Sequence, residues 1–212
     1  KIGCTIDRGI AIVVYANPGV GKTTLASTLP AGETRIINTE AGVGTLLGTG
    51  HVVRDIKADN WPKRQERYKY LKTEKHPFKN VVLDNVSQLE QWTVQHYTDK
   101  RKKEFPELRE WGDTASKMRK WLLEWRDLTY NKINVVFNAW EMQREMKRDE
   151  GSLKSIVLPK LGKKLAPDFC GWVDVVAHLE THEKSGKRWL KIGEDSQYLT
   201  KTQFKGIENG EE

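Results

Sequence analysis

The residue types best suited to chemistry stand in a glycine-rich segment that directly follows an apolar run. Residues 16–24 read ANPGVGKTT, and the run before them, residues 9–15, reads GIAIVVY. Lys22 offers a compact positive charge to phosphate oxygens, and the Thr23 hydroxyl is suited to a hard metal ion. A buried strand that leads into such a turn predicts a phosphate-binding loop for a nucleoside triphosphate with magnesium.

The loop departs at one position from the general pattern G-x-x-x-x-G-K-[ST]. Ala16 stands where the first glycine would be, while Gly19 and Gly21 remain to allow a tight turn close to phosphates. Alanine is a mild change at that position, so we still predict ATP binding along the loop. The predicted nucleotide contacts are Asn17, Pro18, Gly19, Val20, Gly21, Lys22, Thr23 and Thr24.

A second apolar run, residues 80–83, ends at Asp84. Ligands of open α/β sheets bind at the carboxyl ends of the strands, so we expect Asp84 to lie near the phosphates. There it would hold magnesium together with Thr23, directly or through water. Many ATPases place a glutamate base immediately after this aspartate, but this chain has Asn85.

The carboxylate that activates water must therefore come from another strand. Residues 35–40 read RIINTE, and Glu40 ends the strand that follows the loop and its helix. A glutamate at that strand end can face the outermost phosphate and orient the attacking water. Glu40 is our predicted catalytic residue, and an exposed loop glutamate is the alternative.

Predicted strands and helices alternate along the chain, which favours an α/β fold with a largely parallel sheet. A turn at 184–187 predicts that the last strand forms an antiparallel hairpin with the strand before it. Residues 118, 121, 122, 125 and 128 recur at helical spacing and predict a core-facing stripe. The predicted strands are 10–15, 35–38, 52–55, 80–83, 134–138, 173–179 and 188–192, and the predicted helices are 23–29, 60–73, 87–103 and 114–130.

The length, charge and cysteine content of the chain indicate its number of domains and the kind of partner it binds. The 212 residues fit one domain, predicted over 1–205 with a polar tail at 206–212, and the net charge of +7 favours a polyanionic partner. Cys4 and Cys170 have no metal-binding spacing and are expected to be reduced thiols in a cytoplasmic protein. We see no membrane-spanning run and expect no membrane partner.

In their order along the chain, these motifs resemble the core of RecA-type recombinases. The resemblance is closer to short phage RecA-like ATPases of the AAA-type phage nucleotide-binding proteins, which are linked to single-strand annealing. It covers about residues 8–203 and is carried by NPGVGKTTLASTLP at 17–30, the strand ending Thr39-Glu40, the strand ending Asp84, NVVFNA at 134–139 and WVD at 172–174.

The resemblance implies a RecA-like P-loop NTPase fold, with a mostly parallel twisted central sheet flanked by helices and a C-terminal antiparallel hairpin. It implies a magnesium-dependent ATPase that binds single-stranded DNA in phage recombination or annealing, in the host cytoplasm. It further implies a homo-oligomeric ring or filament, with a single-strand-binding protein as a candidate partner. Lys22, Glu40 and Asp84 would be catalytic, and Asn138 would report on the γ-phosphate.

The segment after Asn138 would then be a DNA-binding loop. Residues 141–164 carry seven basic and four acidic side chains, and the Gly151-Ser152 pair predicts flexibility. Such a loop can neutralise phosphates without reading bases. A solvated charged loop is the alternative. Trp140 is a candidate for stacking on a base or for packing in the core. The candidate DNA contacts are Arg144, Lys147, Arg148 and Lys154.

Two further basic sites are weaker candidates. Residues 100–103 read KRKK and end a predicted helix, where cations are favoured by the helix dipole or could contact DNA. Lys201 lies where related ATPases place a Lys-x-Arg element that reaches a neighbouring subunit, but Gln203 replaces the arginine.

Two rivals remain from other classes. A nucleotide kinase would share the loop, but it would need an arginine-rich lid, and the basic segment is mostly lysine. A nucleotide-switched DNA-binding module would bind ATP with negligible turnover. A GTPase is rejected because Asn131-Lys132-Ile133-Asn134 precedes its strand and lacks the guanine-reading aspartate.

Overall fold

The computed structural model describes residues 7–40, 43–55, 61–147, 153–182 and 185–206. Apolar runs of the sequence form the strands of one twisted sheet, because β-branched residues pack well on a pleated, buried surface. The strands are β1 (Ala11–Ala16), β2 (Thr34–Asn38), β3 (Val52–Asp55), β4 (Asn80–Asp84), β5 (Asn134–Lys147), β6 (Leu153–Pro159), β7 (Val175–Thr181), β8 (Arg188–Lys191) and β9 (Lys201–Thr202).

The strand order β3-β2-β4-β5-β1-β7-β8 confirms the predicted α/β sheet, with every pair from β3 to β7 parallel. The predicted C-terminal hairpin is confirmed, since β8 pairs antiparallel with β7. In register, Asn38 lies beside Asp84, and Asp84 beside Asn138. Parallel pairing thus brings the carboxyl ends of β2 and β4, and Asn138 within β5, to the same edge as the end of β1.

Five helices flank the described part of the sheet, and four of them match predicted helices. Within the described residues, none is long and apolar enough to cross a membrane. The eight-residue α5 was not predicted, because Pro167 lies in its first turn, where proline is tolerated but resembles a loop signal. The helices are α1 (Lys22–Ala26), α2 (Trp61–Thr73), α3 (Val86–Lys100), α4 (Leu108–Arg126) and α5 (Leu165–Trp172).

The aromatic stripe of α4 is a core face, as its spacing predicted. Trp121 and Trp125 are buried with their ring centroids 5.2 Å apart, and Tyr68 of α2 lies 5.9 Å from Trp125. Cys170 is a free, buried thiol, and burial raises its pKa to about 12, so it is chemically inert at neutral pH.

The prediction of a flexible loop at 141–164 is wrong for residues 141–147 and 153–159, which form two paired strands. β5 runs on to Lys147, and β6 pairs antiparallel with it, from Glu141 opposite Pro159 to Lys147 opposite Leu153. The high charge obscured the strand signal, because the hairpin carries many charged residues, while Val157 and Leu158 near the end of β6 pack on the core. Arg148 and the Gly151-Ser152 pair lie outside the described residues.

Helices α3 and α4 pack against each other as an antiparallel pair. The Thr93 hydroxyl lies 3.7 Å from Met118 Sδ, and Arg101 pairs with Glu110 at 2.9 Å. α4 runs towards the amino edge of the sheet, because the chain that follows it enters the start of β5 at Asn134 and Asn131 contacts Lys72 near the end of α2. The connection between α3 and α4 therefore lies towards the carboxyl edge.

We predict that Trp125→Ala lowers the free energy of unfolding by about 3–5 kcal/mol, the loss typical of a large buried aromatic. Trp125→Phe should cost much less, because the buried Nε1 has no hydrogen-bond partner among the described residues and phenylalanine removes that unsatisfied donor. Urea unfolding of both variants checks this, and equal losses would contradict the packing described for α4.

Candidate nucleotide-binding site

The predicted phosphate loop connects β1 to α1 in the conformation that its glycines allow. Gly19 and Gly21 have φ angles of 82° and 114°, in the region that glycine adopts most readily. Ala16, the one departure from the general pattern, is the last residue of β1 and pairs with Trp140. A strand conformation accepts alanine, so the replacement of the first glycine has no backbone consequence.

Lys22 lies inside this loop. Its ammonium donates hydrogen bonds to the carbonyl oxygens of Ala16 at 3.0 Å and Asn17 at 2.9 Å. Burial lowers the pKa of Lys22, while the nearby carboxylates of Glu40, Asp84 and Glu141 act in the opposite direction. The Lys22 ammonium is therefore held inside the phosphate loop by backbone carbonyl oxygens. Phosphate oxygens of a bound nucleotide can take the place of these carbonyls as hydrogen-bond acceptors.

Asp84 connects the loop to the neighbouring strands. One carboxylate oxygen accepts a 2.6 Å hydrogen bond from the Thr23 hydroxyl, and the other accepts a 3.1 Å bond from the Asn138 amide. A hydroxyl beside a carboxylate oxygen is the hard donor set that Mg²⁺ prefers, so these residues fit the ion. No group of three or more His, Cys, Asp or Glu able to hold a metal occurs within the described ranges. The remaining ligands would be phosphate oxygens and water.

Glu40 is held at the end of β2 by a tight set of contacts. The Thr39 hydroxyl accepts from Asn85 N at 2.6 Å and donates to Asn85 O at 2.7 Å, which joins the ends of β2 and β4. Asn85 Nδ2 then donates to Glu40 Oε1 at 2.6 Å. Burial is the largest cause that raises the pKa of Glu40, and the negative charge of Asp84 is the next. The positive charge of Lys22 acts in the opposite direction. The Trp140 side chain also favours the charged form of Glu40 and lowers its pKa.

The predicted residues Lys22, Thr23, Glu40 and Asp84 are thus brought together. Asn138 belongs to the same group, but it is buried behind Asp84 and contacts the site through that carboxylate. Its role as a γ-phosphate reporter stays a prediction.

Two residues at this site escaped the sequence reasoning. Glu141 accepts from the Asn17 amide at 2.6 Å and pairs with His178 at 2.8 Å, so it joins the phosphate loop to β5 and β7. Arg188 of β8 donates from Nε to the Val20 carbonyl at 2.8 Å. No local pattern indicates either contact, because both depend on strands that are distant in sequence.

The candidate DNA contacts are only partly available. The Arg144 guanidinium donates to the Lys163 carbonyl at 2.8 Å, so it holds the backbone after β6, and Lys154 is partly buried. Lys147 ends β5, and Arg148 lies outside the described residues.

The Lys201 ammonium donates to the carbonyls of Cys170 at 3.2 Å and Gly171 at 2.9 Å, near the end of α5. In this arrangement Lys201 closes a helix of its own chain, and it is not extended towards a neighbouring subunit.

A mostly parallel sheet with a phosphate loop after β1 and an acidic residue ending β4 defines a RecA-like P-loop NTPase. The chain belongs to the family described as AAA domain, whose model matches residues 8–204. It is therefore a nucleotide-binding protein of a class that generally uses ATP and Mg²⁺.

Solved structures agree on the fold. A RadB recombinase is 17% identical, with 87% of this chain and 80% of that one covered, at a TM-score of 0.53. A KaiC-like protein from the hyperthermophilic archaeon Pyrococcus horikoshii OT3 is 14% identical, with 88% and 79% covered, at a TM-score of 0.50. These identities establish a shared fold alone. No curated protein sequence matches the chain.

We predict that Gly21→Ala destabilises the protein by about 1–2 kcal/mol, the cost of a side chain at positive φ. The added Cβ would also lie 2.5 Å from Arg188 Nε. Gly32→Ala is the matched control, since a Cβ there meets no atom within 4 Å. Thermal unfolding of both variants checks this, and equal stability of the two would contradict the loop geometry.

Proposed function

We propose that this protein hydrolyses ATP and binds single-stranded DNA, and that it acts in phage DNA recombination or single-strand annealing. The observation that carries the proposal is the convergence of Lys22, Thr23, Glu40 and Asp84 at one edge of the sheet. The resemblance to phage annealing ATPases supports the biological setting, including the host cytoplasm and assembly into a ring or filament.

Each residue of the phosphate site has a separate task. The backbone N–H groups of residues 19–24 surround the phosphates, and Lys22 turns from the carbonyls of the loop to the outer phosphate oxygens. Thr23 and Asp84 would hold Mg²⁺, which would supply positive charge to the phosphates. Because the Thr23 hydroxyl and an Asp84 oxygen are already adjacent, little rearrangement is needed.

Glu40 orients the attacking water. The residue after Asp84 is an asparagine engaged by its own contacts, so the base expected there in other ATPases is absent. Glu40 lies close enough to Lys22 and Asp84 for each to influence its pKa, so its carboxylate belongs to the same site. A carboxylate at this place can accept a proton or hydrogen bond from water in line with the phosphate.

Single-stranded DNA binds where the helical pair α3–α4 ends. The tip cluster combines exposed aromatic and apolar side chains with exposed cations, and Phe105 and Trp111 are 70% and 45% exposed. Aromatic faces stack on bases, while cations neutralise phosphates. This cluster lies towards the same edge as the β5–β6 hairpin and the phosphate loop. The tip cluster consists of Lys100, Lys102, Lys103, Phe105, Leu108, Arg109 and Trp111.

We predict that Glu40→Gln abolishes most ATP hydrolysis, about 10²–10⁴-fold, because the amide cannot act as a base. ATP affinity should stay within a few-fold of the wild type, whereas Lys22→Ala should lose affinity as well. Phosphate release and binding of a fluorescent ATP analogue measure the two effects. Unchanged hydrolysis in Glu40→Gln would refute this mechanism, and a phosphorylated acceptor in place of free phosphate would indicate a kinase.

We also predict that the Phe105→Ala, Trp111→Ala double variant binds oligo(dT) at least tenfold more weakly, since stacking contributes about 1–3 kcal/mol per base. Leu47→Ala is the control, because Leu47 is 82% exposed outside the tip cluster. Fluorescence anisotropy at fixed salt measures the affinities. Wild-type affinity in the double variant would place the DNA elsewhere, and a wild type that binds no oligo(dT) would exclude the DNA-binding function and leave a nucleotide kinase or an unrelated ATPase.

A further inference from the structure

Asn85 uses both ends of its side-chain amide in different parts of the fold. Its Oδ1 accepts from Ser87 N at 2.7 Å and Gln88 N at 3.2 Å, which caps the first turn of α3. Its Nδ2 donates to Glu40 Oε1 at 2.6 Å. The residue is 1% exposed, so this amide has no freedom to exchange either contact for water.

The backbone of Asn85 is fixed as firmly as its side chain. Thr39 bonds both the N–H and the carbonyl of Asn85, so the end of β2 cannot move without it. Ser87, in the first turn of α3, accepts a 3.0 Å hydrogen bond from Trp140 N in β5. The start of α3 is therefore joined to β2 and to β5, the strands that carry Glu40 and Trp140.

The Glu40 carboxylate needs such a restraint because two neighbouring charges act on it with opposite sign. Asp84 repels its carboxylate, and Lys22 attracts it towards the phosphate loop. An unrestrained Glu40 would turn towards the Lys22 ammonium, where it would compete with phosphate oxygens. The Asn85 Nδ2 donor holds the carboxylate beside the end of β4. The Trp140 side chain favours the charged form of the same carboxylate.

We propose that Asn85 is a positioning residue that orients Glu40 for ATP hydrolysis and links it to α3, whose far end reaches the tip cluster. The proposal rests on the proposed role of Glu40 and on the proposed binding of DNA at the tip cluster. Asn85 caps the first turn of α3, and the last residue of this 15-residue helix is Lys100 of the tip cluster, so a DNA strand that displaces the helix displaces the amide that holds Glu40. Nucleic acid then changes the hydrolysis rate and not the affinity for ATP.

Substitutions separate the two uses of the amide. Serine is also a good helix cap, but its short side chain cannot reach Glu40, so Asn85→Ser removes only the contact to the carboxylate. Asn85→Ala removes both contacts. Trp140→Phe removes the indole donor and keeps the ring. Asn131→Ser is the control, because Asn131 is exposed and lies beside Lys72 near the amino edge of the sheet.

We expect Asn85→Ser to lower kcat about 10- to 100-fold, the loss typical of partners that orient a functional side chain, with KM for ATP within about threefold of the wild type. Oligo(dT) should no longer change its rate, although oligo(dT) affinity is kept. Its unfolding midpoint should match the wild type, while that of Asn85→Ala falls. Trp140→Phe should show a smaller kcat loss in the same direction, and Asn131→Ser should behave as the wild type.

Three results would overturn the inference while Glu40→Gln stays inactive. They are wild-type kcat in Asn85→Ser, a loss carried entirely by KM, or full stimulation by oligo(dT). If Glu40→Gln itself hydrolyses ATP at the wild-type rate, the proposed function fails first, so the two failures are distinguishable.

Discussion

The buried carboxylate of Asp84 is the interaction on which the rest of the site depends. A charged group at 4% exposure is tolerable only when its oxygens are hydrogen-bonded, and here Thr23 and Asn138 bond one oxygen each. These two bonds join the first helix and two neighbouring strands at one point. The phosphate loop, the end of β4 and the part of β5 that carries Asn138 thereby share a fixed geometry.

Much of this site could be predicted from the sequence because its signals are local. An apolar strand followed by a glycine-rich turn, or ended by an acidic residue, locates Lys22, Thr23, Glu40 and Asp84 without knowledge of distant contacts. Parallel pairing then brings those strand ends together, as the strand order confirms. Ala16 also becomes intelligible, since it completes β1 and needs no unusual backbone conformation.

The remaining features could not be predicted, because they depend on contacts between distant segments. The β5–β6 hairpin was obscured by its charged face, and α5 by the proline near its start. No local sequence pattern predicts three of the contacts at the site. They are those of Glu141 with Asn17, of Arg188 with Val20 and of Asn85 with Glu40. Asn85 was notable in the sequence only as a missing glutamate, whereas in the fold it holds the glutamate of another strand.

A structure with ADP, Mg²⁺ and aluminium fluoride tests the central claim most directly, because this combination mimics the phosphate during transfer. Our account predicts a water molecule in line with the fluoride, within hydrogen-bond distance of the Glu40 carboxylate, with Lys22 moved from the loop carbonyls to the phosphates. A water oriented by another residue, with Glu40 turned away from the fluoride, would contradict it.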